Sequence, residues 1–365
     1  MSNTAKPARL WLRDVRGNKI WYILDNGRQI TTGCGADDRA GAQEKLAEYI
    51  TAHVKPNRDS GRDPAAISIA EVLNIYQQDR GAKIARPYEL GLRVTSLLGF
   101  FGTKSVTALN KRLCRDYAIH RGSEQSARRE LEDLRAALGY AYDERILDLD
   151  FRRDIELPAK AAPRERWLTR SEAAGLIRAA WRYREVQKGH ATGRRSRQHV
   201  ARFILVAIYT GTRSAAVCGA AMGPAIGRGY VDLDQGVLYR RAPGTAETNK
   251  RQPPVRLPDR LLAHIRRWKR RGISTKAVVE FNGEPVLSVK KAFARSVVEA
   301  GLGGKVTPHT LRHTAISWSL QNGAPIWEVS DFFGVSPKVI NDVYGHHCPD
   351  QHKAVANAIT RKGRI

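Results

Sequence analysis

The hydrophobic pattern changes character along this chain, and the change limits the folds open to it. Residues 8–33 hold three short apolar segments, RLWLR, KIWYIL and RQITTG, separated by GN and DNG. Asn-Gly is a strong hairpin signal, because its glycine accepts a left-handed backbone. A small three-stranded sheet is therefore predicted. DDRAGAQEKLAEYITAHV follows as a helix, with Asp37 as its expected N-cap. A sheet of this size with one helix is marginal alone. It serves either as a capping subdomain or as a DNA-reading module, since strands can enter a groove.

KPNRDSGRDP at 55–64 is polar and rich in Pro and Gly, which marks a linker. Residues 66–147 then carry apolar positions at helical spacing, as in the stripe Leu131, Leu134 and Leu138. Two prolines in LPAKAAPRERWLTR at 157–170 mark a second linker. Beyond it the pattern is mixed. A buried helix, RQHVARFILVAIYTG, stops at Gly211. GYVDLDQGVLYRR and PPVRLP read as strands, and four later stretches read as helices, TPHTLRHTAISWSLQNG and PIWEVSDFFG among them. The predicted fold is multidomain, with a β3-α module, an all-helical domain and a mixed, mainly α (α+β) domain.

Charge narrows the function. Lys and Arg number 62 against 36 Asp and Glu, a formal charge of +26. Such an excess attracts polyanions at long range, and nucleic acid is the leading candidate. Residues 160–203 concentrate it, with twelve Lys/Arg and three Asp/Glu. Cys34, Cys114, Cys218 and Cys348 are far apart without a CxxC pair, which argues against a disulfide framework or a zinc ribbon. The apolar run FILVAIY is too short to span a bilayer, and MSNTAKPARL has no signal-peptide core. The expectation is a soluble protein of a reducing compartment, a cytoplasm without a nucleus.

The chemistry gathers late in the chain. In TPHTLRHTAISW, Thr307 is a good N-cap and Pro308 suits the first helical position. His309 and Arg312 then share a face in the first turn, where free N–H groups and the helix dipole favour an anion. Upstream, YTGTR places Arg213 at another helix start, with Thr212 as its expected cap. Lys250 lies in a turn of ETNKRQPPVRLP, and Tyr344 is the only tyrosine after position 239.

The ordered set TGTR, NK, HTLRHT and VYGHH resembles the active-site motifs of the tyrosine recombinases, the phage-type integrases. The resemblance covers the whole chain. It implies an arm-type DNA-binding module at 1–56, a helical (SAM-like) core-binding domain at 64–160, and a catalytic domain with a C-terminal tail at 165–365. It carries the catalytic roles to Arg213, Lys250, His309, Arg312 and Tyr344. Arginine offers a planar, always charged fork to the non-bridging oxygens of a phosphodiester. A tyrosine hydroxyl can form a covalent phosphoryl intermediate. A lysine can protonate the leaving 5′-oxygen, and a histidine exchanges protons near neutral pH. The resemblance implies a 3′-phosphotyrosine link, no cofactor and no metal. It also implies double-stranded DNA with specific sites as partner, a homotetramer acting through a Holliday junction, and accessory DNA-bending or directionality factors. Integration or excision of a mobile element such as a prophage is the implied setting.

Two positions depart from the family pattern. Ala216 stands where an acid is usual, three residues after Arg213, and Val335 stands where a His or Trp is usual. The accessory expectation is that His313 or His346 makes up for Val335. A non-cutting DNA-binding relative and a type IB topoisomerase remain the alternative functions. A zinc site at His346, His347 and Cys348 is disfavoured, because three adjacent residues rarely face one ion. Trp318 and Trp327 are read as core, and His53, His190, His199 and His264 as surface. RRWKRRG at 266–272 reads as a solvated or DNA-backbone face, not a catalytic one. Duplex binding is expected to fall steeply with salt, by about 10³-fold between about 50 and 200 mM if six or more phosphates are neutralised. Titration of a fluorescent duplex across that range checks it, and a flat profile contradicts the DNA reading.

Overall fold

The computed structural model describes residues 8–344, apart from 16, 26, 54–56, 163–165 and 246–250. The chain divides into two compact units, Met1–Ala162 and Pro163–Ile365.

The first unit opens with strands β1 (Arg9–Val15), β2 (Asn18–Asp25) and β3 (Arg28–Gly35) in an antiparallel meander. Gly27 takes φ 81° at the second turn, as the Asn-Gly signal requires. Trp11 pairs with Tyr22 and Tyr22 with Thr31, so these three share one face. Ile23 is buried on the other face. Helix α1 (Arg39–His53) buries Ala42, Leu46, Ala47 and Ile50. Its first turn is capped by Asp38, whose carboxylate accepts from the Gly41 N–H at 2.9 Å. The expected cap, Asp37, is therefore off by one residue. Asp-Asp offers two equivalent side chains, and only backbone geometry chooses between them.

Helices α2 (Ile69–Arg80), α3 (Pro87–Phe101), α4 (Lys111–Arg121) and α5 (Glu124–Asp143) complete this unit. The stripe Leu131, Leu134 and Leu138 is fully buried. Ile23, Leu46 and Ile50 belong to the same core, so the sheet module and the helices share one hydrophobic interior. The stretch expected as a linker is tied to that interior at its end. Arg62 bonds both oxygens of buried Glu71, at 2.6 and 3.3 Å, and the Asn57 N–H donates to the same carboxylate.

The second unit contains α6 (Arg170–Arg182), a hairpin of β4 (Val186–Gln187) and β5 (His190–Ala191), α7 (Gln198–Thr210) and α8 (Ser214–Gly219). A three-stranded antiparallel sheet follows, β6 (Tyr230–Asp232), β7 (Val237–Tyr239) and β8 (Val255–Arg256). After α9 (Asp259–Arg270) come the hairpin β9 (Glu280–Phe281) and β10 (Glu284–Pro285), then α10 (Lys290–Glu299), α11 (Pro308–Gln321), α12 (Ile326–Phe333) and α13 (Pro337–Tyr344). Helix α7 is the axis of the core, with Val200, Phe203, Ile204, Val206 and Ala207 buried. Each such side chain contributes about 1.5–3 kcal/mol, which outweighs the modest helix propensity of its β-branched residues. Among the described residues no helix is long and apolar enough to cross a membrane.

Two bland readings are corrected here. His199 is buried, with its ring 4.9 Å from that of Phe281, because it sits in the first turn of the buried α7. Burial pushes its imidazole down to about 4. Trp327 is 74% exposed, on the outer side of the short α12. Trp318 is half-buried and donates its indole N–H to the Leu168 carbonyl at 3.0 Å.

Helix α6 starts with a reciprocal cap between Thr169 and Glu172. Glu172 also receives Arg166, at 2.6 Å on Oε1. The bond from Arg166 holds this carboxyl at about 2. A depressed carboxyl stabilises the fold above its unfolded value, near 4.3, and that contribution is lost as pH falls toward 2. Glu172→Gln is expected to destabilise by about 1–2 kcal/mol at pH 7, with the difference closing near pH 2. Urea unfolding of both proteins across that pH range checks it.

Candidate active site

Five helix ends and a strand end meet in the second unit. Helix α7 ends at Gly211, whose φ of 59° is left-handed. The chain then passes Thr212 and reaches Arg213, the N-cap of α8. Thr212 does not cap α8 as expected. Its hydroxyl is turned inward, accepting from the Thr210 hydroxyl and from Arg240. Arg213 is half-buried and donates to the Arg251 carbonyl at 2.9 Å.

Helix α11 starts as its sequence requires, with Thr307 and Thr310 forming a reciprocal cap and Pro308 in the first turn. This turn presents His309, Arg312 and His313. The rings of His309 and His313 stand nearly perpendicular, 4.8 Å apart. Arg312 is only 4% exposed and spans two backbone carbonyls, Gly211 at 2.8 Å and Phe333 at 2.6 Å. Burial, then the neighbouring charge of Arg213, pushes its guanidinium down to about 10. It stays charged at neutral pH.

Tyr344 closes α13 and is 5% exposed. Its hydroxyl shares a hydrogen bond of 2.7 Å with Nδ1 of His313. Burial pushes the phenol up to about 12, against the opposing pull of Arg312. Ala315, Ile316, Leu320, Val329, Phe333, Ile340 and Tyr344 form a small core of their own, and Val335 packs against it. Val335 thus supports the tyrosine's helix by apolar contact and offers the site no side-chain donor.

The structure brings Arg213, His309, Arg312, His313 and Tyr344 into one place. Lys250 and His346 lie outside the described residues, as do His347 and Cys348. Among the described residues no group of three or more His, Cys, Asp or Glu is placed to hold a metal ion. Sequence reading missed one residue, Arg240, a buried arginine whose charge is disfavoured by burial and by its neighbours Arg312 and Arg213. Its signal was readable. It follows β7 in GVLYRR, where alternation puts position 240 on the same inward face as buried Leu238.

The electrostatics of this place are one-sided. No carboxylate of the described residues pairs with Arg213, Arg240 or Arg312. Among the described residues their positive charge faces neutral carbonyls, hydroxyls, aromatic rings and one another. Such a site can accept an anion and stabilise added negative charge, beside a buried phenolic hydroxyl bonded to an imidazole.

No family model matches the chain, and no curated protein sequence does. Solved structures match in fold. An integrase of the transposon Tn1549, in complex with a circular intermediate DNA, superposes with a TM-score of 0.62 at 15% identity, covering 81% of this chain and 100% of that one. A lambda integrase dimer bound to a COC′ core site gives 0.57 at 16% identity, covering 98% and 97%. A lambda integrase tetramer bound to a Holliday junction gives 0.57 at 15% identity, covering 90% and 95%. This chain has the multidomain α+β fold of those integrases.

The site depends on close packing at Gly211, where an added Cβ would lie 2.3 Å from the Phe333 ring on top of the left-handed φ. Gly211→Ala is expected to cost at least about 2 kcal/mol. Gly219→Ala, with open space around it, is expected to be neutral or mildly stabilising. Urea midpoints of the two variants check the contrast.

Proposed function

We propose that this chain is a tyrosine-type site-specific DNA recombinase, an integrase that cuts and rejoins DNA through a 3′-phosphotyrosine. The observation that carries the reading is the Tyr344 hydroxyl. It is buried beside Arg312 and bonded to His313, among arginines that no carboxylate of the described residues pairs with. The fold shared with DNA-bound integrases and the net charge of +26 support it.

In this reading Arg213 and Arg312 receive the non-bridging oxygens of the scissile phosphodiester. Tyr344 is a phenol at neutral pH, so its proton must leave as its oxygen attacks phosphorus. His313 takes that proton on Nδ1, and the imidazole carries Nε2–H at the start. The P–O5′ bond breaks, and the 5′-oxygen leaves with a proton from Lys250. His309 hydrogen-bonds the phosphate. In the second half a 5′-hydroxyl of the partner strand gives its proton back to Lys250 as it attacks the phosphotyrosine, and the phenolate leaves with the proton held by His313. Bond energy stays in the protein–DNA link, so no nucleotide triphosphate is consumed.

The finer assignments belong to the same proposal. Residues 1–56 act as an arm-type DNA-binding module and 64–160 as a core-binding domain. Residues 165–365 carry the catalysis. The exposed face of the N-terminal sheet suits this role, with the Arg13 guanidinium 5.8 Å from the ring centres of both Trp11 and Tyr22. Four protomers act on two duplexes, with accessory factors setting direction on a mobile element.

The test uses nicked duplexes from the flanks of the gene, in EDTA, with denaturing gels. Wild type is expected to form a protease-sensitive DNA adduct, and Tyr344→Phe none. His313→Gln is expected to slow adduct formation by about 10²-fold at pH 7. That deficit should narrow as pH rises toward 10, because the small phenolate fraction, which needs no acceptor, grows about tenfold per pH unit below the phenol's own value. DNA binding with no adduct from any protein over a broad set of sites overturns the reading in favour of a non-cutting relative.

A further inference from the structure

Arg240 has no place in the mechanism above, yet it is bound more completely than either arginine that does. It is 5% exposed. Its Nε donates to the Thr212 hydroxyl at 2.9 Å. One terminal nitrogen donates to the Phe332 carbonyl at 2.8 Å and to that of Pro253 at 3.4 Å, and the other to the Thr210 carbonyl. Arg312 bridges Gly211 and Phe333. The two guanidiniums therefore cross-link neighbouring carbonyls of the same two chain segments, 210–211 and 332–333.

Both segments are helix C-termini, of α7 and α12. Carbonyls there lack intrahelical partners and carry the negative end of the dipole. Arg240 satisfies them with a cation. A neutral donor would do the same at lower cost, since a buried charge beside two like charges is unfavourable unless something offsets it. Helix ends offset it in part. Arg312 and Arg213 still disfavour its charge, and burial disfavours it more, pushing the guanidinium down to about 9. An anion arriving next to Arg213 and Arg312 would relieve this excess of positive charge.

We propose that Arg240 is a positioning residue of the cleavage site: it fixes the 210–213 segment that presents Arg213, and its buried charge strengthens the field that receives the scissile phosphate. This inference rests on the recombinase reading. It assigns Arg240 no contact with DNA, so its effect falls on the chemical step and not on affinity.

Two variants separate charge from hydrogen bonding. Arg240→Lys keeps the charge with fewer donors, and Arg240→Gln keeps donors without the charge. Single-turnover adduct formation on nicked duplex is expected to fall about 10²-fold in the glutamine variant and about 10-fold in the lysine variant. Duplex affinity should stay within about threefold of wild type, as expected for a residue that touches no phosphate. Equal losses in both variants, tracking their melting temperatures, would mean that Arg240 serves the fold alone, and rates near wild type in both would overturn the role outright. Should Arg240→Gln fail to fold, Arg240→Ala is assayed with millimolar guanidinium or urea, which share a planar shape but differ in charge. Rescue by guanidinium alone supports the inference, and equal rescue or none overturns it. A wild type that forms no adduct overturns the recombinase reading and this inference together, and is recognised by failing before any variant is compared.

Discussion

Two guanidiniums laid across two helix ends hold this site together. Arg312 joins Gly211 to Phe333, and Arg240 joins Thr210 to Phe332. These four bonds fix where α7 stops, where α12 stops, and how Arg213 leaves one of them. Steric fit reinforces the same junction. Gly211 lies under the Phe333 ring, and a Cβ on Gly334 would meet the Arg251 carbonyl at 2.7 Å. The backbone around the site is thus set by charge-assisted hydrogen bonds to carbonyls and by two glycines that nothing larger can replace.

Buried acids elsewhere in the chain have donors of their own. In the first unit Glu130 is buried with Arg121 and the Tyr117 hydroxyl, and Glu71 is buried with Arg62. In the second unit Glu280 accepts the backbone N–H groups of 275–277, away from the site arginines. Acids are thus buried with partners elsewhere, whereas no carboxylate of the described residues pairs with Arg213, Arg240 or Arg312. Against that background Ala216 fits. An acid near Arg213 would begin to quench the charge that a phosphodiester is proposed to meet.

Much of this was legible in the sequence because local signals and global fold agree. Thr307 and Pro308 start a helix, Gly211 ends one, and both places lead directly to a site arginine. The hairpin dipeptides and the leucine stripe of 131–138 behave as their periods require. What was not legible depended on tertiary partners. Asp37 and Asp38 are interchangeable until the backbone chooses. Thr212 looks like a cap but is taken by Arg240. Trp327 and His199 exchange the surroundings expected of their types, because the short α12 shows one side to solvent and α7 is buried down to its first turn. The inward position of Arg240 was readable from strand alternation, but its partners were not, because the rule that arginines face water fails where helix C-termini supply them. The link between Tyr344 and His313 spans 31 residues, and no local pattern encodes it.

The account stands on Tyr344 as the atom that takes the DNA phosphate. Digesting the wild-type adduct with nuclease and protease, then sequencing the peptides by tandem mass spectrometry, reads that atom directly. The account predicts a nucleotide remnant on the peptide that contains Tyr344, bound through phosphorus to the phenolic oxygen, whether or not EDTA is present. A remnant on any other residue, or cleaved DNA with free terminal phosphates and no modified peptide, would contradict it.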